Sequence, residues 1–324
     1  RLRCDWSSDV CSSDLVIKLG ALGDFVQALG PFAAIRNHHP GQRITLLTTE
    51  PFAEFARASG LFDEVWTGGR PGVLDVGGWL GLRRRLRGGN FGRVYDLQTS
   101  DRSSFYYRLF WPGPAPEWSG IAKGCSHPHL NPARDFMHTV ERQAEQLAMA
   151  GIGEYVKGEY VKTGPDPDFS WATADISRFG LKGKYALLAP GGASHRPAKR
   201  WPVEHFGAVA RALTIKGVEP VLIGSPAEAG MMAEIKAHCP EARDLAGQTT
   251  LLELAALGRG AAAAVGNDTG PMHLIAAVGC QSVVLYSNES DPALCGQRGP
   301  AVTILRRDRL VDLSAAEVLD GLDL

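Results

Sequence analysis

Apolar runs and amphipathic stretches take turns along the whole chain. In the first half Leu15-Leu19, Ile44-Thr48, Glu64-Trp66 and Arg93-Leu97 read as strands. Phe25-Asn37, Pro51-Ser59, the basic segment Val76-Arg87 and Ala133-Ala150 read as helices. Lys162-Asp168 is polar, carries two prolines and reads as a linker. The pattern then restarts, with strands at Tyr185-Ala189, Pro220-Ile223 and Ser282-Tyr286. Helices are expected at Val203-Lys216, Ala227-Ala237 and Leu251-Leu257, the last opened by a capping box of Thr250 and Glu253. This alternation predicts an α/β protein with parallel sheets covered by helices on both faces. Two doubly wound Rossmann-like domains in series are expected, facing each other across a cleft where ligands of such folds bind.

The first residues stand apart. Cys4-Leu15 has neither an apolar period nor a signal-peptide pattern, and it looks like one reading frame of a sequencing adapter. Residues 1–15 are therefore taken as an artefactual leader, 16–162 as an N-terminal domain and 163–324 as a C-terminal domain. The last helix is expected to pack back on the N-terminal domain. Composition changes this picture little: 44% hydrophobic, 21% charged and a net charge of -1 argue against a nucleic-acid partner. No apolar run reaches the roughly eighteen residues of a membrane span. Of six cysteines, Cys4 and Cys11 fall in the leader. Cys125, Cys239, Cys280 and Cys295 are scattered without disulfide-like spacing, which fits a cytoplasmic location.

Candidate chemistry lies where apolar runs end. Val265-Gly266 closes a buried strand, and Asn267-Asp268-Thr269-Gly270-Pro271-Met272-His273 turns into an apolar helix whose start favours phosphate. Asp268 is either part of that anion site or a plain N-cap. Gly191 and Gly192, with Ser194, follow another strand and let backbone amides approach an anion. Lys199 sits in the next loop, either a phosphate contact or a solvated charge. Glu228 offers either a ribose contact or a favourable charge at a helix start. The spacing matches neither the P-loop nor the dinucleotide fingerprint, so a nucleotide would be held as a donor group. In the first domain Gly20-Ala21-Leu22-Gly23-Asp24 forms a close-approach turn, with Asp24 either a general base or an N-cap. Arg83-Arg84-Arg85-Leu86-Arg87 is the densest basic patch. It reads as a solvated helix face, as a contact for a phosphorylated or carboxylated acceptor, or as a contact for anionic lipid headgroups. Asp101-Arg102 also belongs to the carboxyl edge of the first sheet.

Four of these segments, Lys18-Asp24, Lys199-x-Trp201-Pro202, Asp244-Gly247 and Gly266-His273, occur in an order that resembles family 9 glycosyltransferases. These are the heptosyltransferases that build the inner core of bacterial lipopolysaccharide. The resemblance covers the chain from Val16 onward. It implies a GT-B fold, an acceptor site in the N-terminal domain and an ADP-sugar site in the C-terminal domain, without metal or other cofactor. It implies Asp24 as catalytic base and Lys199 as the diphosphate contact. Gly191, Gly192, Ser194, Glu228, Asp268, Thr269, Gly270 and His273 are the expected donor site. Gly20, Gly23, Arg83, Arg84 and Arg102 are the expected acceptor contacts. The implied partners are an ADP-sugar and a lipopolysaccharide core on lipid A, with peripheral contact at the cytoplasmic face of the inner membrane. A nucleotide-sugar 2-epimerase and a non-catalytic nucleotide-sugar-binding protein are the alternatives.

Overall fold

Leu15, Val16 and Ile17 are wholly buried, as a strand covered on both faces requires. In the computed structural model, residues 13–323 are described except 154, 157–158, 161–166 and 194. The leader up to residue 12, most of the expected linker and Ser194 lie outside the described residues.

The chain divides into two units. The first holds residues up to Gly20 and Ala28–Asp168; the second holds Ala21–Gln27 and Phe169–Leu324. The elements before Asp168 are β1 (Ser13–Ile17), α1 (Leu22–Gln27), α2 (Leu29–His38), β2 (Arg43–Leu47), α3 (Glu50–Ala58) and β3 (Glu64–Trp66). They continue with α4 (Val76–Gly88), β4 (Phe91–Asp96), α5 (Asp101–Arg108), β5 (Glu117–Gly120), β6 (His127–Pro128) and α6 (Thr139–Met149), and end in a hairpin of β7 (Tyr155–Val156) and β8 (Glu159–Tyr160). Strands β1 to β6 form a parallel sheet in the order β3-β2-β1-β4-β5-β6. Its core gathers Leu15, Ile17, Leu82, Leu86, Val94, Tyr106 and Trp118.

The second unit runs β9 (Tyr185–Ala189), α7 (Val203–Ile215), β10 (Glu219–Leu222), α8 (Ala229–His238), β11 (Arg243–Asp244) and α9 (Leu251–Gly260). It continues with β12 (Ala263–Asn267), α10 (Gly270–Ala277), β13 (Ser282–Tyr286), α11 (Pro292–Cys295), β14 (Val302–Arg306) and α12 (Ala315–Asp320). Its parallel sheet repeats the first in the order β11-β10-β9-β12-β13-β14. In both sheets the order reverses at the middle pair, which places ligand-binding loops at the carboxyl ends of β9 and β12. The final helix joins this unit's own core through Val318, with Leu313 before it and Leu322 after it.

Three local departures have physical causes. The first expected helix is two helices, α1 and α2, and α1 belongs to the second unit. The long helix expected from Ala133 starts at Thr139, because extended His138 caps it and accepts from Val140 N at 3.2 Å. Strand β1 begins at Ser13, inside the presumed leader, since ladder pairing with Arg43 and Phe91 uses the main chain rather than particular side chains.

That pairing has a cost. Asp14 is buried, its Oδ2 has no hydrogen-bond partner and it lies 3.4 Å from His39 Nδ1. Burial raises its carboxyl to about 6 and pushes His39 down to about 4, so at neutral pH a carboxylate faces an uncharged imidazole. Burial likewise raises Asp96, at the end of β4, to about 6. Both groups bind protons more tightly folded than unfolded, so their contribution to stability is largest below about pH 4 and is lost as pH rises through about 6. Asp14→Val is expected to raise the unfolding free energy at pH 7 by about 1–2 kcal/mol. It should also flatten part of the decline between about pH 4 and 6. Urea titrations across that range check both; an unchanged midpoint at pH 7 removes Asp14 as a strained position.

Candidate functional site

β9 runs into Pro190-Gly191-Gly192, β10 into Gly224-Ser225 and β12 into Asp268-Thr269. These loops and the start of α10 enclose a cavity of about 320 Å³. Gly191, Gly192, Glu228, Asp268, Thr269 and Gly270 all line it, together with Gly224 and Pro271. Asn267 ties the walls together from a fully buried position. Its Nδ2 donates to Pro190 O at 2.7 Å and Gly191 O at 3.1 Å, and its Oδ1 accepts from Trp201 N at 3.0 Å.

Glu228 takes the helix-start role of its two alternatives and adds a bond to a neighbouring loop. Its Oε2 accepts from Ser225 N at 2.7 Å and Ser225 Oγ at 2.9 Å, closing a capping box before α8. Its Oε1 accepts from Gly192 N at 3.0 Å, so this amide is engaged by the carboxylate in the structure. A Cβ at Gly191 would meet the same carboxylate, so a larger residue there would displace Glu228 from its bond with Gly192 N.

Lys199 Nζ donates to Asp268 Oδ2 at 2.7 Å, and both side chains are largely shielded from water. Asp268 also accepts from Ser290 Oγ at 2.8 Å, Tyr286 OH at 3.0 Å and Gln297 Nε2 at 3.3 Å. Burial alone would push its carboxyl up. The hydrogen bond and charge of Lys199 outweigh that, with Ser290 and His273 adding to the effect, and hold it below the usual carboxylate range. The N-cap of α10 is Thr269, not Asp268, and Thr269 makes no side-chain cap bond. Its Oγ1 is buried without a partner in the cavity wall. The first-turn amides of α10 therefore get no help from their cap residue, and they sit at the positive end of the helix.

Asp24 lies in α1, with Oδ2 3.3 Å from Ala21 N. Its neighbours on the chain pack closely on α10: a Cβ on Gly270 would meet Leu22 Cβ at 2.7 Å, and one on Gly23 would meet the His273 ring at 2.6 Å. Burial pushes the Cys295 thiol up, and the charges of Asp268 and Asp24 add to the shift. Asp24 thus belongs to the same unit as the cavity rather than to the first. Gly20, with φ of 120°, ends the preceding segment in the first unit. Arg83 and Arg102 are bonded to carbonyls of that unit, Trp111 O and Pro71 O, each at 2.9 Å, while Arg84 is exposed.

Sequence reading assigned no role to Asn267, Arg200, Tyr286, Ser290 or Gln297. Asn267 carried a signal, an amide closing an otherwise apolar strand. Arg200, which donates to Gly192 O at 2.6 Å, is the unspecified position of the Lys199-x-Trp201-Pro202 segment. Ser290 and Gln297 come from an irregular loop, whose contacts no periodicity reports. Among the described residues no cluster of three or more His, Cys, Asp or Glu side chains could hold a metal ion, and no helix is long and apolar enough to cross a membrane.

Two doubly wound parallel sheets of identical order, with a cavity at the switch point of the second, define a two-part α/β architecture. The chain belongs to glycosyltransferase family 9 (heptosyltransferase), whose family model matches residues 79–311. It is 37% identical over 244 residues to lipopolysaccharide heptosyltransferase 2 of Escherichia coli, covering 68% of this chain and 66% of that one. It is 37% identical over 248 residues to the protein of the same name from Salmonella typhimurium, with the same coverage. The matched part thus spans just under two thirds of these relatives. Among solved structures, the Escherichia coli ADP-heptose heptosyltransferase II superposes with a TM-score of 0.77 at 22% identity, over 95% of this chain and 97% of that one. A family 9 glycosyltransferase from Veillonella parvula gives 0.80 at 20% identity, over 96% and 95%. The fold is of the GT-B type.

Proposed function

We propose that this protein is an inverting glycosyltransferase that moves a heptose or related sugar from an ADP-sugar to a lipopolysaccharide core acceptor carried on lipid A. The observation that carries this reading is the largely shielded Lys199–Asp268 pair, whose aspartate lines a cavity bounded by strand-end loops and the start of α10. A cation and a helix N-terminus beside one cavity suit a diphosphate, whose negative charge grows as the sugar leaves. Structures of Escherichia coli heptosyltransferase WaaC with ADP and with ADP-2-deoxy-2-fluoro heptose have the same fold, which supports ADP as the nucleotide.

In the proposed reaction Asp24 takes the proton of an acceptor hydroxyl. The acceptor oxygen attacks the anomeric carbon, the bond from that carbon to the diphosphate oxygen breaks, and ADP leaves. Lys199 and the α10 amides meet the developing charge; one such preorganised donor is worth about 3 kcal/mol. Glu228, at the cavity edge, is suited to the ribose hydroxyls. The enzyme would work in the cytoplasm, in peripheral contact with the inner membrane that carries its acceptor.

The deciding experiment offers ADP-heptose and other nucleotide sugars with truncated lipopolysaccharide cores and reads products by mass spectrometry. Sugar-extended core with release of ADP is expected. Conversion of the donor with no core present would mean an epimerase instead, and binding without any product a non-catalytic protein. Lys199→Ala is expected to weaken ADP binding by about ten- to a hundredfold and to slow transfer as well, since it removes a charge-assisted contact to the leaving group. Unchanged ADP affinity by calorimetry would take Lys199 out of the site.

A further inference from the structure

One face of the first unit is apolar where it meets solvent. Val73 and Leu74, in the loop before α4, are 82% and 92% exposed, and Val76, Leu80 and Trp111 are also open to water. Between α4 and α5 runs a groove of about 420 Å³ lined by Val73, Trp79, Leu80, Arg83, Phe105 and Leu109. Isolated exposed apolar residues are ordinary, but a contiguous set around a groove marks an interaction surface.

The charge around it has one sign. Residues 70–87 carry five arginines against the single acid Asp75. On α4 the buried Leu82 and Leu86 face inward. Val76, Leu80, Arg84 and Arg87 recur at helical spacing on the outer side, apolar at its start and cationic at its end. Arg108, exposed on α5, lies one turn beyond Phe105. Arg85 is spent within the fold, its guanidinium 4.6 Å over the Trp66 ring and bonded to Thr67 O at 2.9 Å. Arg84, Arg87 and Arg108 remain beside the apolar residues.

We propose that this face docks on a bilayer surface bearing anionic phospholipids. Val73, Leu74, Val76 and Leu80 enter the interface, and Arg84, Arg87 and Arg108 meet the headgroup phosphates. Apolar side chains flanked by arginine complement an anionic amphiphile on both counts. Docking deepens the membrane contact proposed above, and it rests on that reading for the reason a lipid-carried acceptor would require it. Its chemistry is independent of sugar transfer.

The test is flotation of the full chain with phosphatidylcholine vesicles with and without phosphatidylglycerol. Binding is expected only with phosphatidylglycerol, and it should weaken as salt is raised. Leu74→Ser with Leu80→Ser, and separately Arg87→Glu with Arg108→Glu, should each lower partitioning at least about tenfold. The leucine pair should leave the unfolding midpoint in place, since both side chains are exposed, and the arginine pair should lower it only slightly through the helix C-termini. No binding to phosphatidylglycerol vesicles, or variants that bind like the parent, overturns the proposal. So does a dimer in sedimentation velocity that the leucine pair abolishes while vesicles go unbound. Transfer to a short acceptor lacking lipid is measured in parallel. Docking lost with that activity present leaves the function standing, and docking retained without it sinks the function alone.

Discussion

Asp24→Asn is expected to slow sugar transfer by about 10²–10⁴-fold while ADP affinity stays within about twofold of the parent. The asparagine keeps the shape of the side chain and still offers an oxygen to Ala21 N, a contact that is already long at 3.3 Å. Its neighbours Leu22 and Gly23 continue to hold α1 on Gly270 and His273. What the amide lacks is the ability to accept a proton. Single-turnover measurement with saturating donor, alongside calorimetry with ADP, separates the chemical step from binding. Normal turnover would end the base assignment, and a parallel loss of ADP affinity would mean that Asp24 shapes the donor site instead.

Asp268→Ala is expected to lower the stability of the second unit by about 3–5 kcal/mol, because it leaves the Lys199 ammonium without its partner in a largely dry place. Tyr286, Ser290 and Gln297 lose an acceptor at the same time. Adding Lys199→Met to that variant should recover much of the loss, since removing both charges of a buried pair costs less than removing one. Donor binding should stay lost in the double variant. Chemical denaturation of the single and double variants supplies the comparison. Equal stability of the two would show that the unpaired lysine is not the source of the effect.

Legibility varied with the kind of residue. Strands β9 and β13 were readable to the residue, Tyr185–Ala189 and Ser282–Tyr286, since an apolar run bounded by polar or turn residues leaves little choice of ends. Strands β6 and β11, of two residues each, fell below any periodic signal. The break between α1 and α2 was invisible because Phe25, Val26, Leu29 and Phe32 are all buried, so the apolar pattern continues across it. Leu74 and Trp111 gave no hint of an exposed surface, since sequence reports apolarity but not which apolar residues go uncovered.

By itself the order of residues determined two parallel α/β halves, the family and the loops that carry the candidate chemistry. Period and turn composition are local properties, and they survive without knowledge of what packs where. Only the tertiary structure decided that Lys199 is held by Asp268, that Glu228 takes the Gly192 amide and that the helix bearing Asp24 packs on α10. Those pairings join groups as many as 250 residues apart, as between Gly23 and His273. They follow from which chain segments can fill the same space, which no local pattern encodes.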